Sequence, residues 1–408
     1  MKLIKAYKFR IKPSSKQLVK LRQFTGCCRF VWNKVLKISL NKLENKQKII
    51  WYNEASSWLP KWKELEEYKF LGDSHSQILQ QKLMDLDKAF KDAFDKKQPL
   101  KRIPKFRKKG VHDSFRYPQN SNKKGTKSIR IDNRRVLLPK VGWMKFFKSR
   151  NILGAIKNLT IKRNGKYWYC SIQTELEVME PKTKATREIG IDLGINRFAV
   201  TSDNKRIDYP KNVFKKFEIK IAKEQKKLSK KKRFSSNFNK QKKRIQRIYS
   251  KITNIRFDFL HKQSTILSKN HALIVVEDLK IKNMSKSAKG NIEKPGKNVK
   301  AKSGLNKSIL NQGWGIFKNF LKYKLSWNGG KYLEVPPPYT SQKCSKCNYI
   351  SKDNRKVQKK FQCLECGHEE NADFNAAKNI LMAGHAKIAR GEDALAISMK
   401  QEHSVKLV

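Results

Sequence analysis

Acidic side chains are scarce in this sequence: 34 Asp and Glu stand against 94 Lys and Arg, a formal net charge of +60 over 408 residues. Self-repulsion on that scale opposes compaction unless a polyanion offsets it, and nucleic acid is the usual partner of such a surface. Long apolar runs are missing too, which excludes a transmembrane helix and leaves no membrane partner to expect. The opening stretch Met1–Lys8 carries no signal-peptide apolar core, so a cytoplasmic location is expected. Cysteine is sparse and odd in number, at seven. That excludes an even disulfide framework, and Cys27, Cys28 and Cys170 read as packing thiols of a reducing compartment.

The other four cysteines form the densest chemical signal in the chain. Cys344-Ser-Lys-Cys347 and Cys363-Leu-Glu-Cys366 are two knuckles at a separation that lets them wrap one tetrahedral ion. A closed tetrathiolate leaves no position for water, so the ion is structural zinc. His368 is a lesser competitor for ligation. Asn348 follows the first knuckle where glycine is usual, and asparagine tolerates the left-handed backbone such a turn needs. Directly after the second knuckle comes Asn371-Ala-Asp373-Phe-Asn375, which places a carboxylate beside the zinc module.

The chain length suits two or three domains. Alternating Leu3, Tyr7, Phe9 and Ile11 predict a strand ended by Pro13, with Ser14-Ser15 capping the helix that follows. Helices are expected to about Asp95, with Leu79, Leu83, Leu86, Phe90 and Phe94 as one apolar stripe. Beyond Pro99 short strands are expected at Ile129–Ile131, Val136–Leu138, Leu159–Ile161 and Tyr167–Ile172. With the first strand they would close a small barrel (1–13 and 99–180), interrupted by the helical block 14–98.

After a linker over Val178–Arg187, three short antiparallel strands are expected at Ile189–Ile195, Phe198–Thr201 and Arg206–Tyr209. A basic helical stretch follows, in which Ile245, Ile248, Ile252, Ile255 and Phe259 keep 3-4 spacing. Lys240, Lys242, Lys243, Arg244 and Arg247 occupy its other faces, as a helix lying along a phosphate backbone would require. Ala272–Glu277 reads as a buried parallel strand delivering Glu277 at its C-terminal end. Residues 285–303 read as a mobile loop, Trp314–Trp327 as a helix, Lys331–Val335 as a strand, and 384–408 as a disordered tail.

Three strands, a helix, a strand, a helix, a strand and a final helix make the element order of an RNase H-like α/β domain. In that order Asp192 lies on the first strand, Glu277 ends the fourth, and Asp373 opens the last helix. Three carboxylates meeting in a partly dehydrated site repel one another by several kcal/mol. Two Mg²⁺ or Mn²⁺ ions would relieve that repulsion and support phosphodiester hydrolysis.

The stretches Gly190-Ile-Asp192-Leu-Gly, Val276-Glu277-Asp-Leu-Lys, Tyr339-Thr-Ser-Gln-Lys-Cys344 and Asp373-Phe-Asn-Ala-Ala-Lys-Asn-Ile resemble TnpB, the transposon-encoded RNA-guided DNA nucleases related to type V CRISPR effectors. Phe24–Asn33, Ile103–Lys109, Leu138–Gly142 and Gly313–Phe317 extend the resemblance almost end to end. It implies an α+β multidomain chain: a wedge β-barrel with a helical recognition insertion, then a RuvC nuclease domain (187–339 and 371–383). A zinc-bearing module at 340–370 would contact target nucleic acid. The implied catalytic triad is Asp192, Glu277 and Asp373. Many members carry a further aspartate where this chain has Asn371, and Asn375 is read as secondary.

The implied partners are a guide RNA from the transposon end and double-stranded target DNA, the latter read beside a short adjacent motif. Tyr52, Ser56, Gln77, Gln80 and Gln81 are candidates for reading that motif, since glutamine pairs well with adenine. Lys240, Lys243, Arg244 and Arg247 are candidates for phosphate contacts. A monomer is favoured. Competing readings are a nuclease-inactive RNA-guided repressor, a compact type V CRISPR effector, and a strand-transfer transposase.

Overall fold

The computed structural model describes residues 2–120, 127–179, 181–357 and 359–391. The chain divides into two compact units after Met179.

The first unit begins with β1 (Lys2–Lys12), whose Leu3, Tyr7, Phe9 and Ile11 turn inward while the intervening residues face out. Three helices follow: α1 (Ser15–Glu44), α2 (Tyr52–Glu64) and α3 (Ser76–Phe94). Ser14 caps α1 in a reciprocal box with Gln17, satisfying two end groups that the helix itself leaves unpaired. Six strands complete the unit: β2 (Ser114–Tyr117), β3 (Arg130–Asp132), β4 (Arg135–Leu138), β5 (Gly142–Phe146), β6 (Ala155–Asn164) and β7 (Tyr167–Glu177).

They join β1 in one antiparallel sheet ordered β2-β6-β7-β1-β5-β4-β3. Among the described residues no ladder joins the end strands β2 and β3. The Tyr117 hydroxyl nevertheless donates to the Pro139 carbonyl at 2.9 Å, so the sheet coils until its ends approach. The helices pack on this sheet through contacts such as Phe24 against Phe115, 5.6 Å between ring centres. Leu79, Leu83, Leu86 and Phe90 are buried as the stripe predicts, whereas Phe94 at its end is exposed. Two strands, β2 and β5, were not legible from sequence, because each is short and broken by charged residues.

The second unit holds β8 (Glu188–Asp192), β9 (Ala199–Thr201), β10 (Arg206–Ile207), α4 (Lys211–Ser229), α5 (Ser236–Asn270) and β11 (Leu273–Glu277). There follow α6 (Ile281–Met284), α7 (Val299–Gln312), α8 (Trp314–Asn328), β12 (Lys331–Val335), β13 (Lys360–Gln362), β14 (Glu369–Asn371) and α9 (Ala372–Ala389). The main sheet runs β10-β9-β8-β11-β12. Its first three strands are antiparallel, and β11 lies parallel to both β8 and β12.

Every residue of β11 is buried, because both faces of the sheet are covered. Ile274 and Val276 face the core that holds Phe317, Leu321 and Leu325 of α8. Leu273 and Val275 face Ile380 of α9. Two expectations need correction. The segment read as a loop over 285–303 is helical from Val299, and the segment read as a tail from 384 is helical to Ala389. Helix α9 continues there because Gly384 lets it lie against Val275. The rest of that expected tail, from 392, lies outside the described residues.

Candidate nuclease and metal centre

Parallel pairing of β8 and β11 sets Val276 opposite Ile191, so the next residues, Asp192 and Glu277, leave the sheet side by side at the C-terminal ends of their strands. The third carboxylate arrives on α9. Asn371 caps that helix by accepting the Asp373 N–H at 3.1 Å, which leaves the Asp373 side chain unspent on capping. Helix α9 reaches β8 because residue 190 is glycine. A Cβ there would overlap the Ala377 carbonyl oxygen and lie 2.7 Å from Leu381 N.

Asp192 senses the other two carboxylates. Burial, then the charges of Glu277 and Asp373, push the Asp192 carboxyl up to about 7, against the opposing pull of Arg355 and the Leu193 N–H. Burial also raises Glu277, opposed by the Thr340 hydroxyl, which donates to Glu277 Oε1 at 2.6 Å. Such a cluster stores a demand for positive charge. Part of that demand is met by Arg355, whose guanidinium lies 3.3 Å from Asp373 Oδ1. Arg355 was not foreseen, since it comes from the segment between the knuckles, where no periodicity marks it. Behind Glu277, the buried Lys318 ammonium pairs with Glu334 at 2.7 Å and Asp278 at 3.6 Å and donates to the Glu277 carbonyl at 3.4 Å.

The four cysteine sulfurs lie within 4.8 Å of one another. Cys344 and Cys366 are 3.7 Å apart, and Cys347 and Cys363 are 3.5 Å apart. A tetrahedral thiolate site with bonds near 2.3 Å needs sulfurs roughly 3.8 Å apart, so the set fits one ion of zinc's size and preference. Burial would raise the Cys363 thiol, but the backbone N–H groups of Cys366 and Glu365 and the neighbouring Cys347 and Cys366 thiols outweigh it and lower it, while the same thiol contacts raise Cys347, so Cys363 is the thiol that ionises first. Each knuckle turns through a left-handed residue, Asn348 at φ 66° and Gly367 at φ 67°. His368 instead approaches Glu370, at 3.6 Å, and is not part of the sulfur cluster.

The other candidates sit elsewhere. Tyr52 and Ser56 are on α2, and the Ser56 hydroxyl is spent on the Asn53 carbonyl at 3.0 Å. Gln77, Gln80 and Gln81 are on α3; Gln81 donates to Asp85 at 3.1 Å, and Gln80 is exposed. Lys240, Lys243, Arg244 and Arg247 are all exposed on α5. Ile245, Ile248 and Ile252 on the same helix are buried, the last two against Ile221 of α4. No helix among the described residues is long and apolar enough to cross a membrane.

Three family models match the chain: "Probable transposase" over residues 171–288, "Cas12f1-like, TNB domain" over 314–380, and "Helix-turn-helix domain" over 1–48. In this chain the last of these covers β1 and the single unbroken helix α1. The "Putative RNA-guided DNA endonuclease InsQ" of Escherichia coli (strain K12) is 47% identical over 96% of this chain and 95% of its own length. A "Putative RNA-guided DNA endonuclease" of Streptomyces pristinaespiralis is 28% identical over 95% and 91%. Among solved structures, a Cas12f1–sgRNA–target DNA complex determined by cryo-EM aligns with a TM-score of 0.56 at 14% identity, covering 93% of this chain and 98% of that one. The fold is therefore shared with that effector, and identity close to one half along nearly the whole length shows that the chain belongs to the TnpB family of RNA-guided DNA endonucleases.

Proposed function

We propose that this protein is an RNA-guided DNA endonuclease that cuts guide-matched double-stranded DNA beside a short adjacent motif by metal-dependent phosphodiester hydrolysis. The observation that carries the reading is the convergence of Asp192, Glu277 and Asp373, with Asp192 pushed up to about 7 by burial and by its two acidic neighbours. Two Mg²⁺ or Mn²⁺ ions held there would activate a water and stabilise the leaving oxygen of the phosphodiester.

Asp192, flanked by Glu277 on the neighbouring strand and by Asp373 on α9, is the residue suited to ligate on both sides. Glu277 and Asp373 would each help to hold one of the ions. Cation binding requires Asp192 to release its proton, so the site gains strength as pH rises through about 7. Arg355 offers a positive charge to the scissile phosphate once divalent cations compete for Asp373. The cysteine cluster holds structural zinc, and its module is the surface that meets target nucleic acid. The exposed cations of α5 track phosphates of the guide RNA, and the polar residues of α2 and α3 read the adjacent motif.

A repressor on this scaffold would be free to lose the carboxylates, and the presence of all three together favours the nuclease. The test compares wild type with Asp192→Ala, Glu277→Ala and Asp373→Ala on one guide and one matching duplex. Cutting is expected to need Mg²⁺ or Mn²⁺ and to fall to background in each variant, while gel shifts show guided binding intact. Near-normal cutting by a variant refutes the assignment at that position. Binding without cutting by every protein, wild type included, replaces the nuclease by the repressor.

A further inference from the structure

We infer that Thr340 is a positioning residue for the proposed cutting reaction, and that Asn375 and Asn379 tie its loop to the first cysteine knuckle so that the two metal-type sites are held as one piece. The inference rests on the reading of the carboxylates as a cation site.

Thr340 and Glu277 are each 8% exposed, and the Thr340 hydroxyl donates to Glu277 Oε1 at 2.6 Å. The other near acceptor of that hydroxyl is the Pro337 carbonyl at 3.1 Å. A hydroxyl has one proton, and an ionised carboxylate is the stronger acceptor, so the contact is tightest when Glu277 is charged and ready to ligate. It occupies Oε1, and Oε2 remains for a cation.

The loop bearing Thr340 leaves β12 through Pro336–Pro338 and turns at Tyr339, φ 66°, before entering the knuckle at Cys344. Two asparagines one turn apart on α9 hold it. Asn379 donates to the carbonyls of Thr340 at 3.0 Å and Lys343 at 2.6 Å. Asn375, fully buried, donates to the Lys343 carbonyl at 2.8 Å and accepts the Ser345 N–H at 2.9 Å. Asparagine is suited to this work because one side chain carries donors and an acceptor. The same helix carries Asp373, so a single rigid element sets one carboxylate directly and a second through Thr340, while grasping the knuckle between Lys343 and Ser345.

The test measures Mn²⁺ binding to the full chain without nucleic acid, by electron paramagnetic resonance, alongside Mn²⁺ dependence of guided cutting. Thr340→Val removes the donor at nearly constant shape and is expected to raise half-saturating Mn²⁺ about tenfold in both assays. Thr340→Ser keeps the donor and should stay within about twofold. Asn379→Leu touches no carboxylate and serves if Thr340→Val fails to fold. It should weaken Mn²⁺ binding about threefold or more with the four-cysteine metal still at one per chain.

Asp192→Ala should abolish the Mn²⁺ site. If it does while Thr340→Val and Asn379→Leu bind Mn²⁺ like wild type, the positioning role is overturned and the nuclease reading stands. Unchanged Mn²⁺ binding in Asp192→Ala overturns both.

Discussion

The second unit contains a four-cysteine cluster shaped for one cation and the three carboxylates proposed to hold others, and they are built in opposite ways. The four cysteines fall within residues 344–366, on two turns that each close locally, Asn348 N–H to the Cys344 carbonyl at 3.0 Å and Gly367 N–H to the Cys363 carbonyl at 3.1 Å. The carboxylates come from residues 192, 277 and 373 and meet only because strand register and helix packing bring them together. A local cluster has little core behind it and depends on its ion for folding energy. An assembled cluster is held by the core whether or not ions are present, and it stores repulsion that the core must withstand. Removing the ion should therefore unfold the first and leave the second folded but strained.

The largest expected effect tests the first half of that contrast. Cys363→Ser, or chelation, should abolish metal content, make residues 340–370 susceptible to protease and eliminate DNA cutting, while RNA binding persists. Thiolate coordination contributes on the order of ten kcal/mol in small zinc modules. Stoichiometric metal analysis with limited proteolysis checks it, and a metal-free, fully active protein would break the comparison.

The second half predicts the opposite sign. Asp192 has a folded-state value near 7, above the ordinary 3.8, so the folded protein binds the extra proton and loses stability as pH rises between those values. Asp192→Asn should then stabilise the metal-free protein at pH 8, on the order of 3 kcal/mol, and do little at pH 3.5. Urea unfolding with chelator present measures it. Destabilisation at pH 8 would show that the carboxylate is not strained.

Assembly by packing is tested next by Gly190→Ala. Its Cβ meets α9 backbone, which cannot yield as a side chain could, and a loss of about 2 kcal/mol is expected. Hydrogen exchange should place that loss in β8 and α9. The smallest effect concerns surface charge. Each alanine at Lys240, Lys243, Arg244 or Arg247 that removes a phosphate contact should flatten the log–log salt dependence of RNA binding by about 0.7, with little change in stability.

Local features were legible without the structure. Paired knuckles announce their cluster because ligand spacing and turn chemistry are both local, down to the left-handed Asn348. Strand β1, the cap at Ser14, the buried strand ending at Glu277 and the hydrophobic face of α5 follow from periodicity, which depends on neighbours along the chain. What sequence alone could not decide is everything whose partner is remote. Arg355 beside Asp373, the Thr340 hydroxyl on Glu277 and the asparagine clamp of α9 each join residues that no spacing rule relates. Asn375, read as secondary from its place in the chain, proves fully buried between two loop groups. The same division holds for the sheet of the first unit, where alternation predicts several strands but only tertiary packing decides how far the sheet coils. Short-range chemistry is encoded in order along the chain, whereas burial, register and charge repulsion exist only once distant segments share a volume, and the gathering of Asp192, Glu277 and Asp373 is a product of that sharing.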